Sequence, residues 1–141
     1  MGPVERRVYF VRSGRLVAVE RRLSSGSVTT ALESLVAGPT RTEVATGVRT
    51  SVAPQSFRVA HPGDSPRVVE VTAGPQFTSV SGQDQLLAVA QVVWTVTEVP
   101  GIRLVRFYLD RSPLEVPTDD GLARHAVGRS DYMSVRPTDG S

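Results

Sequence analysis

Thr30-Ala31-Leu32-Glu33-Ser34-Leu35-Val36-Ala37-Gly38-Pro39-Thr40-Arg41-Thr42-Glu43, continuing to Gly47, is the stretch whose reading decides the fold. It holds two Thr-x-x-Glu pairs, Thr30 with Glu33 and Thr40 with Glu43. This is the spacing of a capping box, in which the Thr hydroxyl accepts from the N3 amide and the Glu reaches back to the cap amide. Leu32, Leu35 and Val36, with Ala31 beside them, recur at helical spacing and predict one apolar stripe. Gly38 stands where a helix ends in a residue of positive φ, and Pro39 cannot continue the helix. Gly47 offers a second stop of the same kind. The expectation is a helix, a Gly-Pro corner and a short second helical turn. Nothing in the stretch is chemistry.

Working outward, Val8–Arg12 and Leu16–Glu20 are short β-rich runs, and Ser13-Gly14 between them suits a tight hairpin. Leu23 to Ser27 reads as the loop into the first helix. Beyond Gly47, Val48 to Pro54 reads as extended chain. Phe57–Ala60 and Val68–Thr72 make a second strand pair, joined by the turn-forming His61-Pro62-Gly63-Asp64-Ser65-Pro66. A loop from Gly74 to Gly82 brings Phe77 onto the sheet.

A second helix is expected over about Gln83 to Glu98, capped by Ser81 or Asp84. Its stripe is Leu86, Val89, Ala90, Val93 and Val96 or Thr97. Pro100-Gly101 ends it. Ile102 to Leu109 is apolar on both alternations, as a strand in the middle of a sheet should be. Ser112-Pro113 is read as a turn toward an edge at Leu114–Val116. The order hairpin, helix, hairpin, helix, hairpin indicates an α+β two-layer sandwich, a mixed β-sheet of paired strands with two helices packed on one face. The domain is placed at 8–117, with an N-terminal extension 1–7 and a polar C-terminal tail 118–141 that is ordered only if it docks.

Two blocks carry a resemblance. Ala31-Leu32-Glu33-Ser34-Leu35, then Gly38-Pro39-Thr40-Arg41-Thr42-Glu43 and Gly47-Val48-Arg49-Thr50, resemble the GerMN domain, the sporulation and spore germination family. That family shows an Ala-Leu-x-x-Leu helix, a Gly-Pro-Thr-x-x-Glu block and a Gly with a following Thr. Leu87-Ala88-Val89-Ala90-Gln91-Val92-Val93-Trp94-Thr95-Val96-Thr97, followed by Pro100-Gly101, resembles its Ala-x-x-Gln-(Val/Leu)-(Val/Leu)-aromatic-Thr-(Leu/Val) helix. The likeness runs from Val8 to Val116. It implies the same kind of α+β sandwich, similar to the small ring-building domains of secretion machinery. It also implies a place outside the cytoplasmic membrane, often as a lipoprotein.

Composition narrows the function classes. The formal net charge of +2 is too small to imply a polyanion partner, and apolar residues make up 40% of the chain. Every basic side chain other than the two His is Arg. The absence of Cys excludes disulfides, Cys-ligated metals and a thiol nucleophile within this chain. No run approaches the roughly 20 apolar residues needed to span a bilayer. Met1-Gly2-Pro3-Val4-Glu5-Arg6-Arg7 has no apolar signal core, and Arg6 stands where myristoylation wants Ser or Thr. Read literally, this is a cytoplasmic chain. A longer precursor, with a signal and a lipid-bearing Cys ahead of Met1, reconciles it with the resemblance.

No catalytic constellation emerges. His61 lies in a turn and His125 in the polar tail, and joining them to Asp119 and Asp120 matches no zinc spacing. Gly-x-Ser-x-Gly is absent, and the lack of Lys removes a Ser-Lys pair. No glycine-rich phosphate loop follows a strand. Gln91 and Trp94 invite a binding-site reading because both fall in the family block, although Trp94 also suits the edge of the core. Arg6-Arg7 and Arg21-Arg22 are expected to approach each other in the first hairpin as solvated charge that discourages edge pairing. A nucleic-acid surface calls for interleaved aromatics and a larger basic excess.

The sequence therefore points to a non-enzyme with no cofactor, no metal and no catalytic or cofactor-binding residues. The expected role is a protein–protein interaction or scaffold module of a bacterial cell-envelope lipoprotein, with a protein partner or self-association and no nucleic acid. The alternative is a domain that binds a cell-wall glycan or peptide.

Overall fold

The computed structural model describes residues 2–63 and 65–137. Met1 of the expected extension, Asp64 of the turn and residues 138–141 of the tail lie outside the described residues. The chain opens on a hairpin of β1 (Val4–Arg12) and β2 (Arg15–Leu23). Its turn residues Ser13 and Gly14 have φ of 55° and 76°, the positive values a two-residue hairpin turn requires. Both strands outrun the apolar segments read from the sequence, and Val4 to Arg7 of the expected extension belong to β1. Cross-strand charge explains this: Arg7 faces Glu20 at 3.5 Å and Arg22 faces Glu5 at 4.0 Å, so opposite charges carry the ladder past its apolar part.

The first helix, α1, spans Val28–Ala37. The box drawn from Thr30 to Glu33 is corrected: Ser27 is the cap, and its hydroxyl accepts from the Thr30 amide at 3.1 Å. Val28 is the reason, because it joins Ala31, Leu32 and Leu35 in the core and starts the stripe one turn earlier. The second box stands. In α2 (Arg41–Ala45) the Thr40 hydroxyl accepts from the Glu43 amide at 3.2 Å, and the Thr40 amide donates to Glu43 Oε1 at 2.9 Å. Gly38, between the helices, has φ of 84° and donates to the Leu35 carbonyl.

β3 (Arg58–Ala60), β4 (Val68–Ala73), β5 (Leu104–Leu109) and β6 (Ser112–Pro113) form one sheet in that order. The β4–β5 pair is parallel and the other two pairs are antiparallel. The fold is thus α+β with a mixed sheet, while the first hairpin forms a separate two-stranded ribbon. One turn is corrected. Leu109 pairs with Ser112, so Asp110-Arg111 makes the turn and Ser112-Pro113 is the returning strand. Asp110 takes φ of 55°, which Asp tolerates better than most residues.

The long helix α3 spans Gln83–Val96. Neither Ser81 nor Asp84 caps it; Gly82, at φ 62°, occupies the cap without a side-chain hydrogen bond. Every residue from Leu87 to Val96 is buried, so a single stripe understates this helix. It packs on α1, β1, β2 and β5 and on the C-terminal segment, and a helix enclosed on all sides is apolar all round. Leu86 and Val36, both expected in the core, are only half-buried at its margin. Phe77 lies in a 3-10 turn (Pro75–Thr78), stacked on Phe107 at 5.7 Å and edge-on to Phe57 at 5.8 Å.

From Pro117 to Val135 the chain is structured rather than loop. β7 (Val116–Thr118) and β8 (Gly121–Ala123) form a third small sheet, and a 3-10 segment follows over Arg129–Val135. Val127 exchanges backbone hydrogen bonds with Val105 of β5 at 2.8 and 2.9 Å. Val116, Ala123, Val127, Tyr132 and Val135 enter the core. They are spaced too widely among polar residues to show a period, which is why the segment reads as a tail.

Candidate functional site

β1 pairs with β2 on one edge only, and its other edge faces α3 and the chain after α2. Buried backbone groups must find partners. Val11 exchanges two bonds with Arg49 at 2.7 and 2.8 Å. Tyr9 is served from the helix: its amide donates to Thr95 Oγ1 at 3.0 Å, and its carbonyl accepts from Gln91 Nε2 at 3.1 Å. Gln91 Nε2 also donates to Thr50 Oγ1 at 2.9 Å, and Gln91 Oε1 accepts from the Ser51 amide at 2.8 Å. The side-chain amide joins three elements and leaves nothing facing solvent. Gln91 is a structural bracket.

Trp94 belongs to a second cluster and is a boundary aromatic of the core, 6% exposed and edge-on to Tyr9 at 6.3 Å. The Arg129 guanidinium carbon lies 5.4 Å from the Trp94 ring centroid and 5.7 Å from that of Tyr9. Arg129 also donates to Thr97 Oγ1 (2.7 Å), the Trp94 carbonyl (3.0 Å) and Glu98 Oε2 (2.7 Å). The Tyr9 hydroxyl donates to the same Glu98 oxygen at 2.8 Å. Burial, then the Glu98 bond and charge, push the Tyr9 hydroxyl up to about 12. It is therefore neutral at ordinary pH and serves as a donor. A cation at the end of α3 also opposes the negative pole of the helix. The cluster clamps the C-terminal segment onto α3. Sequence reading missed Arg129; the signal was Val127-Gly128-Arg129-Ser130-Asp131, where the Asp131 carboxylate accepts from the Gly128 amide at 2.9 Å.

The corner block is a third polar cluster. Glu43 caps α2 and also receives a two-pronged ion pair from Arg21 of β2, at 2.6 and 2.7 Å. The Arg21 guanidinium in turn lies 5.6 Å from the Phe10 ring centroid. Arg21, with the Thr40 amide, lowers the Glu43 carboxyl to about 2. Arg6 stands directly opposite Arg21 in the hairpin, as expected, but Arg21 is not the solvated charge read from the sequence: its side chain is 19% exposed and ion-paired to Glu43, which offsets the like-charge contact. Arg41 and Thr42 point outward and are exposed.

His61 and His125 are both exposed, and Asp119 accepts from the Ser134 amide at 2.9 Å. Among the described residues no three His, Cys, Asp or Glu side chains gather as metal ligands would. Two open depressions meet at Ser56. One lies at the C-terminal ends of β4 and β5 with Arg58, Asp110 and Arg111 on its rim. The other separates α1 from the segment 55–57, with Leu32, Val36 and Phe57 in its walls.

Residues 7–115 match the model of the Germane family, described as sporulation and spore germination. The chain belongs to this family. The Germane match spans both sequence blocks that carry the GerMN resemblance. The fold is similar to the tandem GerMN domains of the sporulation protein GerM from Bacillus subtilis, at 20% identity and a TM-score of 0.70. That likeness covers 92% of this chain and 48% of the other, so the chain spans about half of the tandem structure. The first GerMN domain of the same protein is similar at 21% identity and a TM-score of 0.70, covering 91% and 99%. A candidate lipoprotein from Clostridium perfringens is similar at 12% identity and a TM-score of 0.57, covering 95% and 93%. No curated protein matches the chain.

Proposed function

We propose that this Germane domain is a non-catalytic protein–protein interaction module of a cell-envelope lipoprotein, working through an open strand edge. One observation carries the reading. The converging polar side chains Gln91, Thr95, Arg129 and Glu43 all bond to the protein's own backbone or to each other, while β2 and β3 each have a hydrogen-bonded strand on one side only. What the fold leaves open is edge and groove. The envelope placement draws support from the similar fold of the Clostridium perfringens candidate lipoprotein. No helix among the described residues is long and apolar enough to cross a membrane. A glycan platform is the weaker reading, because Trp94 and Tyr9 have their faces covered by Arg129.

The test is site-specific photocrosslinking in intact cells from Glu20 on the β2 edge and Ser56 beside β3, with protease shaving to report the side of the membrane. A discrete crosslinked protein and shaving from outside are expected. Stoichiometric zinc or iron in the purified protein, or no crosslink from either edge, overturns the reading.

A further inference from the structure

We infer that the cleft between α1 and the segment 55–57 takes an extended acidic peptide, added as a further strand along Ser56-Phe57 and on beside β3. This rests on the interaction-module reading and names the partner's chemistry. β3 ends its sheet and pairs with β4 alone. Just before it, the backbone groups of Ser56 and Phe57 make no hydrogen bond among the described residues. An extended run with unpaired amides and carbonyls is a template for another strand. The two terminal strands differ in protection. β2 carries Glu20 and Arg22, which are ion-paired across the ribbon, whereas Ser56-Phe57-Arg58-Val59-Ala60 has one charge.

Across the cleft, α1 presents Leu32 and Val36, and Phe57 closes the apolar floor. A strand added here places alternate side chains into that wall, which is the usual source of specificity in this binding mode. Charge then selects the peptide. At the end where the cleft meets the second depression stand Arg58 and Arg111, both exposed and neither in an ion pair among the described residues. Asp110 is the one carboxylate on that rim, so the balance is positive. Guanidinium forks suit carboxylates. Glu33 lies in the α1 wall and repels a second acidic group there. The geometry therefore favours a β-prone apolar segment with its acidic residues at the Arg58–Arg111 end.

The test uses an N-acetylated Thr-Val-Thr-Val-Asp-Asp peptide against the isotope-labelled protein, read by amide chemical shifts and, with a fluorescein label, by anisotropy. Saturable shifts confined to residues 32–36, 55–60 and 110–111 are expected. Alternate N-methylation, which removes strand hydrogen bonds, should abolish binding. Arg58→Glu combined with Arg111→Glu should weaken it by about tenfold or more, with the melting temperature held because both side chains are exposed. No saturable shift up to about 1 mM, the weak end of specific affinity, overturns the cleft. Equal binding of a peptide with Lys in place of Asp overturns its acidic preference. Saturable shifts at the β2 edge alone overturn the cleft while leaving the interaction module standing, and loss of the crosslinks described above strikes the module itself.

Discussion

Gln91 reaches from the centre of α3 to the Tyr9 carbonyl of β1 at 3.1 Å, joining residues 82 positions apart. One turn on, Thr95 accepts from the Tyr9 amide. A helix side chain here does what a third strand would do for the open edge of β1. Gln91→Leu keeps the volume but strands the Tyr9 carbonyl and the Ser51 amide without partners. Leaving a buried group unsatisfied costs about 1–3 kcal/mol. Urea denaturation of the variant should show a loss at or above that range, and a neutral outcome means that water replaces the amide.

Leu35 is fully buried on α1. Leu35→Ala should destabilise the domain by roughly 2–5 kcal/mol, as buried Leu truncations do. Chemical denaturation that gives less than about half a kcal/mol would place the residue outside the core.

The Gly38-Pro39-Thr40-x-x-Glu43 block separates architecture from recognition. Gly38→Val forces a Cβ at φ 84°, a cost of about 1 kcal/mol or more. Thr40→Ala removes a cap worth about 1 kcal/mol. Thermal unfolding should register both and leave Arg41→Ala unchanged, because Arg41 is exposed. If Arg41→Ala instead abolishes partner capture at an unchanged melting temperature, the block is a recognition loop.

The Glu43 carboxyl is held at about 2 against an ordinary 4.5. A depressed carboxyl contributes stability that is present above its unfolded value and lost as pH falls through the folded one. The stability gap between the native protein and Glu43→Gln should therefore be full above about pH 5 and close between about 4.5 and 2. A gap that stays constant through this window would show that the Arg21 ion pair contributes nothing.

Arg129 covers Trp94, the only tryptophan in the chain. Arg129→Met keeps the stem but removes the ion pair to Glu98 and the bonds to Thr97 Oγ1 and the Trp94 carbonyl. Trp94 emission should shift, and amide exchange should quicken over residues 127–135 before it does in α3 itself. Uniform quickening across the whole chain would mean that the segment is not a separately clamped unit.

Local signals were strongest where one residue type imposes one backbone geometry. Gly38-Pro39, the Thr40–Glu43 box and Ser13-Gly14 each specify a turn or a cap within a few residues, and each appears in the structure as read. Periodicity did nearly as well for α1 and α3. It misplaced the start of α1 because Ser27 and Val28 were equally able to begin the stripe, and only core contact selects between such starts. The candidate site was less legible. Gln91 and Trp94 stood out as polar and aromatic positions in a helix, but their partners come from β1, the chain at Thr50–Ser51 and the C-terminal segment.

The sequence by itself determined the α+β class, the corner after α1, the first hairpin and the Germane resemblance, because these rest on short-range sterics and on residues close in the chain. The tertiary structure alone decided that α3 would be enclosed from Leu87 to Val96, that β4 and β5 would run parallel, and that the segment past Pro117 would complete the core. The physical reason is shared. A buried edge, an enclosing layer and an ion pair between distant residues exist only when elements far apart in sequence meet, and their stabilisation comes from excluding water from surfaces that no local pattern defines.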